Sequence, residues 1–285
     1  MIRSSSKLVT VGLAAALFIG TAEQSRAQGA TTPGKFLLQV PTAQSGAGLA
    51  DLFRGSPGTG SSSPMAFGAA MGDVFIGSTW QNETRGAKVA PNTFTANGTD
   101  NASISIGFGL GDAVNGIGLT TVVTGLSPFR PGAGKTNTVS LQAFRNINET
   151  TVIAVGVENA IVGGGSSGSE SFYGVVSKVF QSPWEGAPWL KAVTGSVGVG
   201  GGRFRQINDA NSDKSTANVF SSLAVLVHDQ LSLLADYTGQ DLNLGFSVVP
   251  FRNYGFAITP MIADVTQTAT GTARLVVGVG MGIHF

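Results

Sequence analysis

From Gly72 to the C-terminus, apolar residues recur at every second position. "NASISIGFGL" sets Ala102, Ile104, Ile106, Phe108 and Leu110 on one face and Ser103, Ser105, Gly107 and Gly109 on the other. "DLNLGFSVV" sets Leu242, Leu244, Phe246 and Val248 opposite Asn243, Gly245 and Ser247. "VIAVGV" sets Ile153, Val155 and Val157 opposite Ala154 and Gly156. An amphipathic helix cannot use this pattern, because a period of 2 scatters apolar residues around its surface. The expectation is an all-β chain.

About twelve such segments of roughly ten residues can be read, the length a tilted strand needs to cross a bilayer. They lie near 72–80, 101–110, 115–124, 136–146, 150–158, 170–180, 188–201, 217–227, 230–238, 241–250, 253–263 and 273–285. Charged residues are only 12% of the chain, about half the usual share of ~25%. The mean hydropathy is +0.22. Yet beyond the N-terminus no apolar run reaches the ~18 residues of a membrane helix. High hydropathy without such a run is what alternation produces in a membrane barrel.

The connections support the same reading. "QNETRGAKVAPNTFTANGTD", "LSPFRPGAGKT", "NAIVGGGSSGS" and "RFRQINDANSDKST" are long, and "GDAVN", "NINE", "HD" and "PFRN" are short. "SPWEGAP" is intermediate. Long and short alternate along most of the chain, as they do in outer-membrane barrels with long loops outside and tight turns inside. Gly239-Gln240 breaks the pattern and predicts a low wall at that hairpin. The expected fold is a closed antiparallel transmembrane β-barrel of about twelve strands over residues 72–285.

The chain ends "RLVVGVGMGIHF". Leu275, Val277, Val279, Met281, Ile283 and Phe285 alternate with Val276, Gly278, Gly280, Gly282 and His284. This ending resembles the C-terminal signature of bacterial outer-membrane proteins. The resemblance implies that Val277, Val279, Met281, Ile283 and Phe285 form an insertion signal for the barrel-insertion machinery. A second, local resemblance lies in "LSLLADYTGQDLNLGFSVVPFRNYGFAITPMIAD", carried by Asp236, Tyr237, Asn243, Leu244, Gly245 and Pro250. It is similar to hairpins of the YjbH-type barrels, which are associated with exopolysaccharide production and export. It implies envelope polysaccharide or export components as partners and carries no catalytic residues.

Residues 1–27 read as a cleaved signal peptide, with Arg3 and Lys7 before the apolar "LVTVGLAAALFIG" and "SRA" before Gln28. The expected location is the outer membrane of a Gram-negative-type envelope. Residues 28–71 are turn-rich: "GATTPG", "SGAG" and "GSPGTGSSSP". A short helix in "GLADLFRG" is allowed by Leu49, Leu52 and Phe53. This flexible segment can be a plug inside the barrel or a periplasmic tether. The mobility of such termini favours the tether.

With Leu275 and its partners outward, the lumen is predicted to be lined by small residues. Ser103, Ser105, Thr120, Ser140, Ala154, Thr194, Ser196, Ser232, Ser247 and Thr259 belong to it. Its polar candidates are Asp73, Glu158, Lys178, Asp236, Arg274 and His284. Lys178 is placed inward because a charge facing lipid at midplane costs roughly 2–4 kcal/mol. Asp236 and Arg274 are a candidate pair across the lumen. Trp80, Trp184, Trp189, Tyr173, Tyr237 and Tyr254 are candidates for aromatic girdles.

The chain has no Cys and two His, so thiolate chemistry is absent and no metal or cofactor is expected. A net charge of +1 gives no sign of nucleic acid. The nearest approach to a catalytic cluster is His228, Asp229 and Ser232, which turn chemistry also explains. We therefore expect no catalytic residues and no enzyme. The leading reading is a small-solute pore or an export-associated channel. The alternatives are a non-conducting structural or adhesive barrel acting through its loops and, behind it, an outer-membrane hydrolase.

Overall fold

In the computed structural model of the chain, the residues described are 57–83, 88–90, 93–94, 100–126, 136–164, 170–181, 186–187, 189–206, 215–251, 255–268 and 272–285. The expected signal peptide and the short helix lie outside them. Fourteen strands are formed: β1 (Asp73–Gln81), β2 (Lys88–Ala90), β3 (Thr93–Phe94), β4 (Asn101–Gly111), β5 (Gly118–Leu126), β6 (Thr136–Asn146), β7 (Thr151–Gly164), β8 (Ser171–Gln181), β9 (Ala192–Gly200), β10 (Asn218–His228), β11 (Leu231–Tyr237), β12 (Leu242–Val248), β13 (Phe256–Ala263) and β14 (Arg274–His284). Strands β2 and β3 make a small separate hairpin inside the first long loop. The other twelve form one closed barrel in which each strand pairs antiparallel with its neighbour.

Closure is made by β1. One edge pairs with β14, Asp73 to His284 through Gln81 to Val276. The other edge pairs with β4, Val74 to Phe108 through Gln81 to Asn101. A closed sheet leaves no edge with unpaired amides and carbonyls, which is what allows a sheet to stand in hydrocarbon. Among the described residues no helix is long and apolar enough to cross a membrane.

The alternation read from the sequence fixes which side faces out. Ile76, Ile106, Val155, Val197, Leu233, Leu244 and Met281 are exposed and form an apolar outer belt. On β14, Arg274, Val276, Gly278 and Gly280 point in, while Leu275, Met281 and Ile283 are exposed. The C-terminal strand thus has the faces expected of it.

The barrel has two unlike ends. The ends of β1, β5, β7, β9, β11 and β13 and the starts of β4, β6, β8, β10, β12 and β14 lie at one, which we call the loop end. The short turns 112–117, 147–150 and 229–230 lie at the other, the turn end. Both the start of β1 and the finish of β14 are at the turn end. The low wall expected at Gly239-Gln240 is present. Thr238 donates its amide to the Asp241 carbonyl at 3.0 Å, and Gly239 has φ +92°, which L side chains rarely adopt.

One strand assignment changes. Residues 159–164, expected to be loop, continue β7 to Gly164. The pairing with β6 slips there, from Leu141 opposite Val157 to Val139 opposite Ile161. Asn159 takes φ +57° at this bulge. Its consequence is local and functional: Glu158 and Asn159 are consecutive yet both buried, because a bulge re-aims side chains. Sequence periodicity ends at a bulge, which is why the strand looked shorter.

Candidate functional site

The barrel's lumen is filled by the chain itself. Residues 57–70 are all buried, and they run inside the wall rather than below it. The periplasmic tether expected from the mobility of such termini is replaced, over these residues, by a plug. Residues 28–56 lie outside the described part.

The plug is a U. Its descending and ascending arms can be followed by their hydrogen bonds. Near the turn end, the Gly58 amide donates to Ser247 Oγ at 2.8 Å, and Ser232 Oγ donates to the Gly58 carbonyl at 2.6 Å. The apex, Ser61-Ser62-Ser63, lies toward the loop end against β11. The chain then returns past β8, where Ala66 N donates to Ser177 Oγ at 2.8 Å, and past β5, where Ala69 N donates to Thr120 Oγ1 at 2.7 Å. Ala70 N donates to the Asp73 carboxylate at 2.6 Å, and β1 begins.

The apex has the densest chemistry. Asp236 Oδ2 accepts the backbone amides of Ser61, Ser62 and Ser63 at 3.2, 2.7 and 3.0 Å. It also accepts Ser61 Oγ at 2.9 Å. Successive amides converging on one carboxylate oxygen make a nest for its charge. Asp236 is 1% exposed. Removing a buried, charge-assisted partner of this kind costs about 1.5–3 kcal/mol per bond. Asn243 Nδ2 donates to Ser62 Oγ at 2.7 Å, and Ser63 Oγ donates to the Tyr237 carbonyl at 3.1 Å.

A second clamp comes from the β9–β10 loop. After β9 the chain makes a short 3-10 turn, Gly202–Phe204. It projects Arg203 into the lumen, where the guanidinium grips Glu158 with Nε and Nη2, the latter at 2.8 Å. Arg203 Nη2 also donates to the Ser62 carbonyl at 2.7 Å. One arginine therefore ties an outer loop, a strand bulge and the plug apex together. Beneath it Tyr173, Phe204 and Phe220 stack, with Phe204 and Phe220 centroids 4.6 Å apart.

The wall makes room for these contents by having glycine where they come closest. A Cβ on Gly109 would sit 2.1 Å from the Ala70 carbonyl oxygen, and one on Gly198 would sit 2.2 Å from the Phe220 ring. A cavity of about 30 Å³ lies between apex and wall, beside Gly60–Met65, Gln142, Glu158 and Arg203. That is room for about one or two waters. The free lumen expected from a small-residue lining is taken up by residues 57–70 and by an apolar cluster in which Met65 and Phe67 pack with Phe144, Val152 and Val179.

The predicted lumen residues are placed as follows. Asp73, Glu158, Asp236 and Arg274 are buried. The small residues from Ser103 to Thr259 named above face inward; Ser105 is half-buried, its Oγ 2.8 Å from Thr124 Oγ1. Asp236 and Arg274 do not pair. Arg274 instead binds Asp241 at 3.1 Å. His284 stands opposite Asp73 in the ladder, and its side chain lies outside the described part.

Lys178 is corrected. It is exposed on the outer face of β8, between inward Ser177 and Val179, with its ammonium 5.3 Å from the Phe180 ring. It pairs in register with Thr151, the first residue of β7, so it sits at the turn-end edge of the belt. There the cost of a charge falls toward zero and a lysine can extend to the polar boundary. Tyr173 is likewise not in a girdle, since it faces the lumen and donates to Gln142 Oε1 at 3.0 Å. Trp80 and Tyr237 are exposed at the loop end and Trp189 at the turn end, as girdle residues would be. Trp184 and Tyr254 lie outside the described residues.

Ser232, His228 and Asp229 face different tasks. Ser232 holds the plug, His228 Nδ1 accepts the Gln230 amide at 3.3 Å, and Asp229 pairs with Lys191. Sequence reasoning missed Arg203, which sat in a stretch read only as a long loop. Its only signal was a bulky aromatic, Phe204, two residues past the glycine run that ends at Gly202. It also missed the role of the three serines, whose backbone amides and hydroxyls together make the site.

No known family model matches the chain, and no curated protein matches it either. The likeness of residues 231–264 to YjbH-type hairpins therefore rests on that stretch alone, which folds as β11, β12 and β13.

Proposed function

We propose that this is an outer-membrane barrel that keeps a small-solute or export path shut with its own N-terminal segment. The turn end would face the periplasm, where an exported chain's N-terminus and the tight turns belong. The exposed apolar belt would face lipid, flanked by Trp80, Tyr237 and Trp189 at its two edges.

One observation carries the gating half of this reading. The wall presents mostly small inward residues, and a separate length of chain fills much of the space they leave, beside a few large wall side chains such as Phe144, Tyr173 and Phe220. A barrel with no need of a path can fill its interior directly. Here the filling is attached in sequence to the barrel only through residues 71 and 72. Its principal anchors are hydrogen bonds to groups that water or a solute can replace.

The test is planar-bilayer conductance of the refolded full chain and of a Gly109→Val variant. The valine would collide with the Ala69 and Ala70 carbonyls and prevent the plug from seating. Silence from the full chain and discrete current steps from the variant are expected. Silence from both, with the barrel folded and heat-modifiable, would leave the second reading: a permanently closed structural barrel acting through its outer loops. That reading draws on the apolar packing of Met65 and Phe67 inside the lumen.

A further inference from the structure

The plug also reports what the path would accept. Residues 57–70, "PGTGSSSPMAFGAA", carry no charged side chain. What they offer the wall is a mixture of donors and acceptors. Amides go to Asp236, Ser247, Ser177 and Thr120, while carbonyls receive Gln142, Arg203 and Ser232. The wall is complementary to an uncharged chain dense in hydrogen-bonding groups.

Its formal charge points the same way. Among the described residues, the inward acids are Asp73, Glu158, Asp236 and Asp241, with Asp264 buried at the loop-end rim. The inward bases are Arg203 and Arg274, and each is held in an ion pair, to Glu158 and to Asp241. Half-buried Arg205 is at the loop-end rim and donates to the Gly202 carbonyl. Carboxylates therefore outnumber guanidinium groups on the wall, and both inward guanidinium charges are already matched. In a narrow lumen with low-dielectric walls the excess negative charge repels anions and concentrates cations.

Resting on the gated-path reading above, we propose that the opened lumen takes uncharged, hydroxyl-rich oligomers and favours small cations over anions. A neutral oligosaccharide has the same alternation of hydroxyl donors and acceptors that the serine-rich plug presents. When the plug leaves, such a chain can satisfy Asp236, Asn243, Gln142 and the wall hydroxyls in its place. An anionic oligomer would meet the Asp236 carboxylate, while the inward guanidinium groups among the described residues, Arg203 and Arg274, are already in ion pairs.

The experiment uses two full-length variants that unseat the plug without altering lumenal charge, Gly109→Val on the wall and Gly68→Leu on the plug. A side chain at Gly68 would strike Phe144 and Thr120. Reversal potentials in a potassium chloride gradient read the selectivity. A neutral linear glucose oligomer and a uronic-acid oligomer of equal length are then added as blockers. Expected are a several-fold preference for potassium over chloride, its reduction by Asp236→Asn in the same background, and block by the neutral oligomer at several-fold lower concentration. An anion-preferring or unselective current, or stronger block by the uronic-acid oligomer, would overturn the inference and leave the gated path standing. Absence of current from both folded variants would overturn the gated path and this inference with it.

Discussion

The Asp236 carboxylate accepts the amide of Ser62 at 2.7 Å across 174 residues of sequence. That contact joins a segment with no regular structure to the wall of a barrel, and most of the protein's specific chemistry gathers around it. Ser62 alone is held by Asp236 through its amide, by Arg203 through its carbonyl and by Asn243 through its hydroxyl.

If this contact holds the plug, removing it should expose the apex. The chain has no Cys, so Ser62→Cys provides a single thiol. It should react slowly with a water-soluble maleimide in the otherwise native barrel and at least ~10-fold faster with Asp236→Ala added, since ~1.4 kcal/mol corresponds to tenfold. Equal rates in the two backgrounds would mean that the plug does not depend on Asp236.

The Arg203–Glu158 pair should be asymmetric. Arg203→Ala leaves Glu158, whose side chain is 6% exposed, without its charge partner. Loss of one partner of a buried pair costs up to about 3–5 kcal/mol. Arg203 is nearer the mouth, at 23% exposure, so Glu158→Gln should cost less. Urea unfolding in vesicles, followed by tryptophan fluorescence, measures both. A larger loss for Glu158→Gln would contradict the burial order.

The proposed contact of the outer belt with lipid makes a prediction about position. Val155 is 63% exposed on the outer belt, and Lys178 is outward at its turn-end edge. Val155→Lys should destabilise refolding into vesicles by about 2–4 kcal/mol, while Lys178→Leu should be nearly neutral. If Val155→Lys is as mild as Lys178→Leu, the belt does not face hydrocarbon.

The β4–β5 turn should respond to acid. The Asp112 carboxylate accepts the Asn115 side chain and the amides of Asn115 and Val114, in that order of influence, which holds its pKa below the ordinary carboxylate value. A group depressed on folding adds order above its unfolded pKa and loses it as pH falls through the folded one. Amide exchange at Val114 and Asn115, corrected for intrinsic rates, should lose protection as pH falls below the ordinary carboxylate range. Asp112→Asn should remove that pH dependence, and its persistence would assign the effect elsewhere.

Lys178 and Arg203 show where sequence reading ends. Lys178 was placed by a sound rule, that charge avoids lipid, and Arg203 lay in a stretch read only as a long loop. The rule failed on depth along the strand and the loop reading on a three-residue turn, neither of which is encoded in periodicity. Asp236 was correctly placed inward, but its partner was misassigned to Arg274. A lumen brings many strands within reach of one side chain, and the choice between Asp241 and Asp236 is made only by closure of the sheet.

The sequence by itself determined the period of 2, hence strands, the two unlike faces of each strand, and the small-residue lining of the inner one. These are local properties, since successive Cβ atoms alternate whatever the strand pairs with. The tertiary structure alone decided that residues 57–70 enter the lumen and which groups receive them. Turn-rich sequence has no periodicity to declare a partner. Its position is set by unpaired amides that must find acceptors once they are enclosed, and the nearest acceptors are supplied by strands far along the chain.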